Sequence, residues 1–325
     1  MIQRRPVASL LALSLLLGTA GASLAQSYPA KPIRWVVPYP AGGGSDFLAR
    51  TIGQQLATQT GQAVVVENKP GGNTAIAAVD VARSTPDGYT LLSADNGTMV
   101  FNSALYSKLA YNPTKDLLPV TLMGKFPMVL VVAQESPIKT AREFIAQAKA
   151  KPGGVSYGSA GAGSPHHLAM ELLKVSAGLH MVHIPYRGAA PALADLAGGQ
   201  VQAMMVDLAA GAGLLKGGKI RPLAVANPTR LPQLPDVPTF AELGLPKVEA
   251  SAQVGIVAAA GTPPEVALAL QRQVATAINQ PAIRQKLIDF GIEPVASTPQ
   301  QYADLIRNEI VRWHQLIRVQ GITLD

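Results

Sequence analysis

The chain has 325 residues, no cysteine, 48% hydrophobic residues, 5% aromatics and a formal net charge of +7. The missing cysteines exclude disulfides, thiolate metal sites and a lipid anchor on an N-terminal cysteine. The basic residues are scattered and aromatics are few, so the charge favours a small anionic ligand and gives no footprint for nucleic acid.

Arg4 and Arg5 precede an almost wholly apolar run over residues 7–17, broken only by Ser9 and Ser14. Ala22-Ser23-Leu24-Ala25 follows, with Ser23 and Ala25 as the small pair before a cut. The run is about half the roughly 20 residues that a bilayer span needs, so 1–25 reads as a signal peptide cleaved near Ala25 rather than as an anchor. The usual Phe-Leu after a twin arginine is missing, which favours the general secretory route. Cleavage leaves 300 residues and a charge of +5, because the leader holds two arginines and no acid. A periplasmic chain of that length can bury a large core without disulfides.

From residue 33 the pattern is strand, turn, helix, repeated. Residues 33–37 read as a buried strand and 46–59 as a helix, with Leu48, Ile52 and Leu56 on one stripe and Gly61 beyond its end. Residues 63–66 form a second strand, 74–83 a helix and 89–92 a third strand. A second series starts with a strand at 128–132 and a capping box at Thr140-Ala141-Arg142-Glu143. Strands at 155–157, 181–184 and 201–206 then alternate with helices at 165–176 and 189–196. The Pro-rich stretch 228–246 reads as a surface connection with a small helix inside it. Thr262-Pro263-Pro264-Glu265 and Thr298-Pro299-Gln300-Gln301 read as two further capping boxes, opening helices that run to about 279 and 318. A shorter helix lies at 282–290. Two β-α-β-α-β series predict an α/β protein of two lobes, mostly parallel sheets flanked by helices. The expected division is 26–126 plus 251–325 for the first lobe, with 127–250 inserted as the second.

Ala41-Gly42-Gly43-Gly44-Ser45 and Ala160-Gly161-Ala162-Gly163-Ser164 stand at the same place in the two series, between a strand and a helix. Glycine lets a ligand approach main-chain N–H groups. The helix start adds unpaired donors and its positive dipole end. Open α/β sheets bind ligands at the carboxyl ends of their strands. Two such turns facing one cleft suit a small mono-, di- or tricarboxylate. Asp46 would repel that ligand, so it is expected to accept backbone N–H bonds instead.

Rival motifs fail. Neither turn has the lysine of a phosphate loop. Phe47 and His166 stand where a dinucleotide turn needs its third glycine, although Glu67 lies near where a ribose-binding acid would. No GxSxG nucleophile elbow is present. His166-His167 opens a helix and His180 and His183 lie at a strand entry, so the five histidines do not make a metal site. Ser136-Pro137-Ile138-Lys139 has the SxxK spacing of penicillin-binding enzymes without a following KTG.

Several ordered motifs resemble the Bug family, the substrate-binding proteins of tripartite tricarboxylate transporters. They are Trp35-Val36-Val37-Pro38-Tyr39-Pro40 running into the first glycine turn, Val66-Glu67-Asn68-Lys69-Pro70-Gly71-Gly72, and Pro86-Asp87-Gly88-Tyr89-Thr90-Leu91. Tyr157-Gly158-Ser159-Ala160-Gly161, Ser164-Pro165-His166-His167-Leu168 and Val182-His183-Ile184-Pro185-Tyr186-Arg187-Gly188 follow. Leu234-Pro235-Asp236-Val237-Pro238-Thr239 and Ala259-Ala260-Gly261-Thr262-Pro263 complete the set. The resemblance implies a periplasmic-binding-protein type II fold whose lobes, joined by crossing strands, close on the ligand. It also implies a large and a small membrane permease subunit as partners. One departure is that similar proteins often carry an aromatic and an Asn near Val206-Asp207, where this chain has Leu208 next.

The expected ligand contacts are Tyr39, Ala41, Gly42, Gly43, Gly44, Ser45 and Asp46 at the first turn, and Thr98 after the third strand. In the second series they are Ser159, Ala160, Gly161, Gly163, Ser164, His167, Tyr186, Arg187 and Asp207. The resulting expectation is a monomeric, non-enzymatic solute receptor without cofactor or metal. The alternatives are a sensor feeding a membrane kinase and an exported α/β enzyme.

Overall fold

The computed structural model describes residues 28–325. The expected signal peptide and its cleavage site lie outside the described residues. Among the described residues, ten strands form one mixed, curled sheet. On one flank β1 (Ile33–Val37) lies between β2 (Val64–Asn68) and β3 (Thr90–Ala94), all parallel. On the other flank β5 (Ser156–Ser159) lies between β6 (Val182–Pro185) and β7 (Ala203–Asp207), again parallel. Antiparallel pairs join the flanks. The 17-residue β4 (Leu117–Ala133) pairs with β9 (Ser251–Ala259) in its first part, and with β7 and β8 (Ile220–Val225) in its second. The short β10 (Glu293–Pro294) pairs with β4 near Gly124. Helices cover both faces, and the neighbours described below share this type II periplasmic-binding fold.

The long span of β4 was not legible, because Pro119, Gly124 and Pro127 look like breakers in sequence. Register shifts beside Pro119 and Gly124 absorb the irregularity. Past Pro127 the period-2 alternation divides the side chains cleanly. Met128, Leu130 and Val132 enter one core, and Val129 and Val131 enter the core on the opposite face.

Helix α1 (Gly44–Thr60) lays Leu48, Ile52 and Leu56 against Ile33, Trp35 and Val37 of β1. It ends as expected at Gly61, left-handed with φ 68°. The turn before α2 (Ala75–Ala82) puts Asn73 and Thr74 at positive φ. After β3, a π-helical turn at Gly97–Phe101 continues into α3 (Asn102–Leu105). The second series supplies α4 (Ala141–Ala150), α5 (Pro165–Ala177), α6 (Ala189–Ala197) and α7 (Leu208–Lys216). The chain closes with α8 (Pro264–Asn279), α9 (Pro281–Asp289) and α10 (Pro299–Val319). α10 returns to the first flank, where Tyr302 donates to the Ala94 carbonyl and His314 meets the Val100 carbonyl.

The capping boxes at Thr140 and Thr298 both form. The one at Thr262 does not. Its hydroxyl turns back to the Ala259 carbonyl at 2.8 Å, and Pro263 caps α8 without a side-chain bond. The small helix expected within 228–246 is also absent. That stretch is a series of turns, because its prolines leave few N–H donors for a helical ladder.

Candidate functional site

Both glycine turns sit at carboxyl ends of parallel strands. After β1 the chain passes through Ala41 and Gly42, left-handed at φ 88°, to Gly43, which caps α1. With glycine at the cap, no side chain covers the first N–H groups of the helix. Asp46 braces the loop. It accepts the Gly42 N–H at 2.9 Å, the Asn68 amide at 2.9 Å and the Arg50 guanidinium at 3.0 Å. Burial pushes its carboxyl up, but Arg50, Gly42 and Asn68 outweigh that and hold it below the usual range. Asp46 thus takes a backbone N–H as expected, from a residue ahead of the helix rather than inside it. Phe126 lies so close to Gly44 that a Cβ there would come within 2.6 Å of its ring. Ser45 Oγ is buried with no partner.

At the end of β3, Tyr39 donates its hydroxyl to Asp95, which also accepts the Thr98 N–H at 3.0 Å and the Thr98 hydroxyl at 3.1 Å. Burial and then the Asp95 charge push the Tyr39 phenol well up. Thr98 is fully buried and contacts Thr74 Oγ1 at 2.9 Å, which places it in an interior network behind the turn. Asn96, which follows Asp95, was not singled out in sequence. Its Oδ1 accepts the Gln253 N–H at 2.6 Å, while its Nδ2 is buried without a partner.

The second turn follows β5. Ser159 Oγ donates to the Gly161 carbonyl at 3.0 Å and lies 2.7 Å from His183 Nε2. The carbonyls of Ser159 and Ala160 accept the N–H groups of Tyr186 and Gly188, which ties the turn to the segment after β6. Ser164 caps α5 by accepting the His167 N–H at 3.3 Å. His167 Nδ1 accepts the N–H of Gly163, itself left-handed at φ 74°. The His167 and His183 rings stack at 3.8 Å, with Tyr157 next at 4.9 Å from His183. Burial lowers His167 to about 4, and burial followed by the His167 charge lowers His183 to about 3.

Tyr186 donates to Asp195 at 2.7 Å; burial and then that bond push its phenol up to about 12. Arg187 is exposed. Asp207 caps α7 through the Ala210 N–H and holds His166 Nε2 at 2.9 Å, so both of its oxygens are engaged. His166 is the second residue that sequence reasoning missed. Its Nδ1 is buried without a partner. A histidine in the first turn of a helix gives no local sign of which nitrogen will be left unpaired.

At two glycines the flanks of the sheet come close enough that an added side chain would meet the other flank. A Cβ on Gly163 would lie 3.3 Å from Asn73 Nδ2, and one on Gly291 would lie 3.0 Å from the Ala209 nitrogen. Three surface hollows, of about 350, 530 and 440 Å³, could hold a small ligand. None is lined by a residue of either turn, and none gathers helix-start N–H groups. The two turns each precede a helix start, the kind of place where main-chain N–H groups can meet an anion. Among the described residues no three of His, Asp and Glu are placed to hold a metal ion, and no helix is long and apolar enough to cross a membrane.

The family model for the tripartite tricarboxylate transporter family receptor matches residues 48–322. Protein BugT of Bordetella pertussis is 36% identical over 308 residues, covering 94% of each chain. A Rhodopseudomonas palustris protein solved with adipate superposes with a TM-score of 0.85 at 35% identity, over 91% of this chain and 99% of its own. MatC from the same organism, solved with bound malate, gives a TM-score of 0.80 at 33% identity, over 89% and 100%.

Proposed function

The chain belongs to the tripartite tricarboxylate transporter receptor family, and from that premise we propose that it captures a small carboxylate between its lobes and delivers it to a membrane permease. One observation carries the reading. Two glycine turns open two helices at the carboxyl ends of two separate parallel strand sets, and buried polar atoms beside both turns lack partners. Main-chain N–H groups at helix starts suit carboxylate oxygens, and adipate and malate are the ligands of two close structural neighbours. The lobes in this reading are 26–126 with 251–325, and 127–250. The hinge in this reading is at Phe126-Pro127, inside β4, and at Ala250-Ser251, where the chain enters β9. A ligand that binds the closed arrangement better than the open one drives closure.

The Ser159–His183 pair is the nearest approach to a nucleophile and base. An imidazole held to about 3 is a poor proton acceptor at neutral pH, and the Ser159 hydroxyl is engaged by the Gly161 backbone. That supports binding without turnover. Calorimetric titration of the secreted chain with mono-, di- and tricarboxylates tests the proposal. Saturable binding of one class supports it. No carboxylate binding, or turnover abolished by Ser159→Ala, would overturn it.

A further inference from the structure

Gly163, in the second glycine turn, fits a notch on the first flank. A Cβ there would lie 2.7 Å from Leu105 Cδ1, 2.8 Å from Leu324 Cδ1 and 3.3 Å from Asn73 Nδ2. The first two distances are too short for a real Cβ, so the notch is filled up to the glycine itself. Leu105 ends α3 and is 1% exposed. Asn73, at φ 46°, is held by Asn102, whose Oδ1 accepts its amide at 2.9 Å and whose Nδ2 donates to its carbonyl at 2.7 Å. Two walls of the notch are thus fixed in the body of the first flank.

The third wall is a strap. After α10 the chain turns at Gly321, left-handed at φ 60°, and the Ile322 N–H closes on the Ile317 carbonyl at 3.1 Å. Ile322 and Leu324 are then half-buried, whereas Thr323 and Asp325 are exposed. The two apolar side chains pack on a core that holds Leu105 of the first flank and Leu168 of α5. The backbone anchors lie on the first flank. The Leu324 N–H donates to the Leu105 carbonyl at 2.9 Å, and the Asp325 carboxylate accepts the Ser107 N–H at 2.8 Å. At the start of the strap, Gln320 lines a hollow with Lys174, Val175 and Gly178. The strap therefore follows α5 from its last turn back to the glycine turn that precedes it.

Resting on the two-lobe receptor reading above, we infer that Ile322–Asp325 is a latch, anchored on the first lobe, that presses Leu324 against Gly163 and favours the closed arrangement. One half-buried leucine against backbone is enough to bias closure and little enough to release. The latch raises the closed population without ligand and slows opening once ligand is bound.

The test reads the distance between lobes. The chain has no cysteine, so Gln54→Cys and Lys149→Cys, at exposed positions on α1 and α4, give one label on each lobe. Pulsed electron resonance of this nitroxide pair is recorded without ligand and with malate or adipate added. Leu324→Ala should lower the ratio of short to long distances about five- to tenfold. Leu324→Met keeps an apolar contact and should stay within about twofold of the parent. Asp325→Ala frees the anchor and should move the ratio in the same direction as Leu324→Ala. Asp325→Asn keeps an oxygen that can accept the Ser107 N–H and should restore it. Ligand-free melts accompany each variant. A leucine that merely fills the surface would lower the melting temperature and leave the distances alone. An unchanged ratio in folded Leu324→Ala overturns the latch, and the receptor reading stands if either acid shortens the parent distance. No effect of Leu324→Ala together with no response to either acid would count against both.

Discussion

Asp46 and His167 are counterparts: each is the third residue of the helix after its glycine turn, and each accepts the N–H of the residue four places back. Asp46 takes Gly42 at 2.9 Å and His167 takes Gly163 at 3.1 Å. The two turns are therefore held by the same device built from different chemistry. A carboxylate remains an acceptor to low pH, whereas a protonated imidazole has no lone pair to offer.

Acid should release the second turn first. His167 and His183 are lowered to about 4 and about 3 from an ordinary value of 6.5. Between those values and 6.5 the unfolded chain binds more protons than the folded one, so stability rises with pH across that window. The contribution of the pair is complete above about pH 6.5 and is lost as pH falls toward 4 and then 3. Melting temperatures recorded from pH 7 to 4 should decline, and His183→Phe should decline less steeply. Parallel slopes would mean that the paired histidines do not titrate in this window.

Gly43→Val and Gly161→Val should both weaken carboxylate binding, but only the first is a clean probe. Gly43 is extended at φ −81°, and an added Cβ meets nothing nearer than the Pro40 carbonyl at 3.8 Å. Gly161 sits at φ +139°, where a side chain is strained. Gly43→Val is expected to keep its ligand-free melting temperature within a few degrees. Each lost charge-assisted bond should cost roughly 1.5–3 kcal/mol, about ten- to a hundredfold in affinity. Parent-like affinity in folded Gly43→Val would place the ligand elsewhere.

Two glycine-to-alanine changes should have opposite signs. At Gly255 a Cβ would lie 2.4 Å from the Tyr302 ring and 2.7 Å from the Thr121 carbonyl, so Gly255→Ala should lower the urea midpoint by the equivalent of about 1–3 kcal/mol or more. Gly213, inside α7, has nothing within 4 Å, and Gly213→Ala should raise stability by about 0.5–1 kcal/mol through helix propensity.

Thr140→Ala removes a formed cap and should cost about 1 kcal/mol in urea unfolding, with Thr140→Ser restoring most of it. A Thr262→Ser change keeps the hydroxyl that meets the Ala259 carbonyl, but its effect should not track helix capping, because no cap exists there.

Most helices and the two flanking strand sets were legible because their causes are local, whereas α3 and α7 carried no signal that was read. Leu48, Ile52 and Leu56 repeat at helical spacing, Gly61 offers the left-handed cap, and Thr140 and Thr298 stand three residues ahead of Glu143 and Gln301. Both glycine turns were legible for the same reason, since a strand, a glycine run and a helix start are adjacent in the chain. The middle of the sheet was not. β9 interrupts Val254, Ile256 and Val257 with Ala252, Gly255, Ala258 and Ala259, and it is held as a strand by ladders to β3 on one edge and to the first part of β4 on the other. The unpaired atoms were decided last of all. His166 meets Asp207 across 41 residues, and Asn96 meets Gln253 across 157. Sequence spacing says nothing about such pairs, because which nitrogen a side chain leaves free depends on the neighbour that tertiary packing brings to the other one.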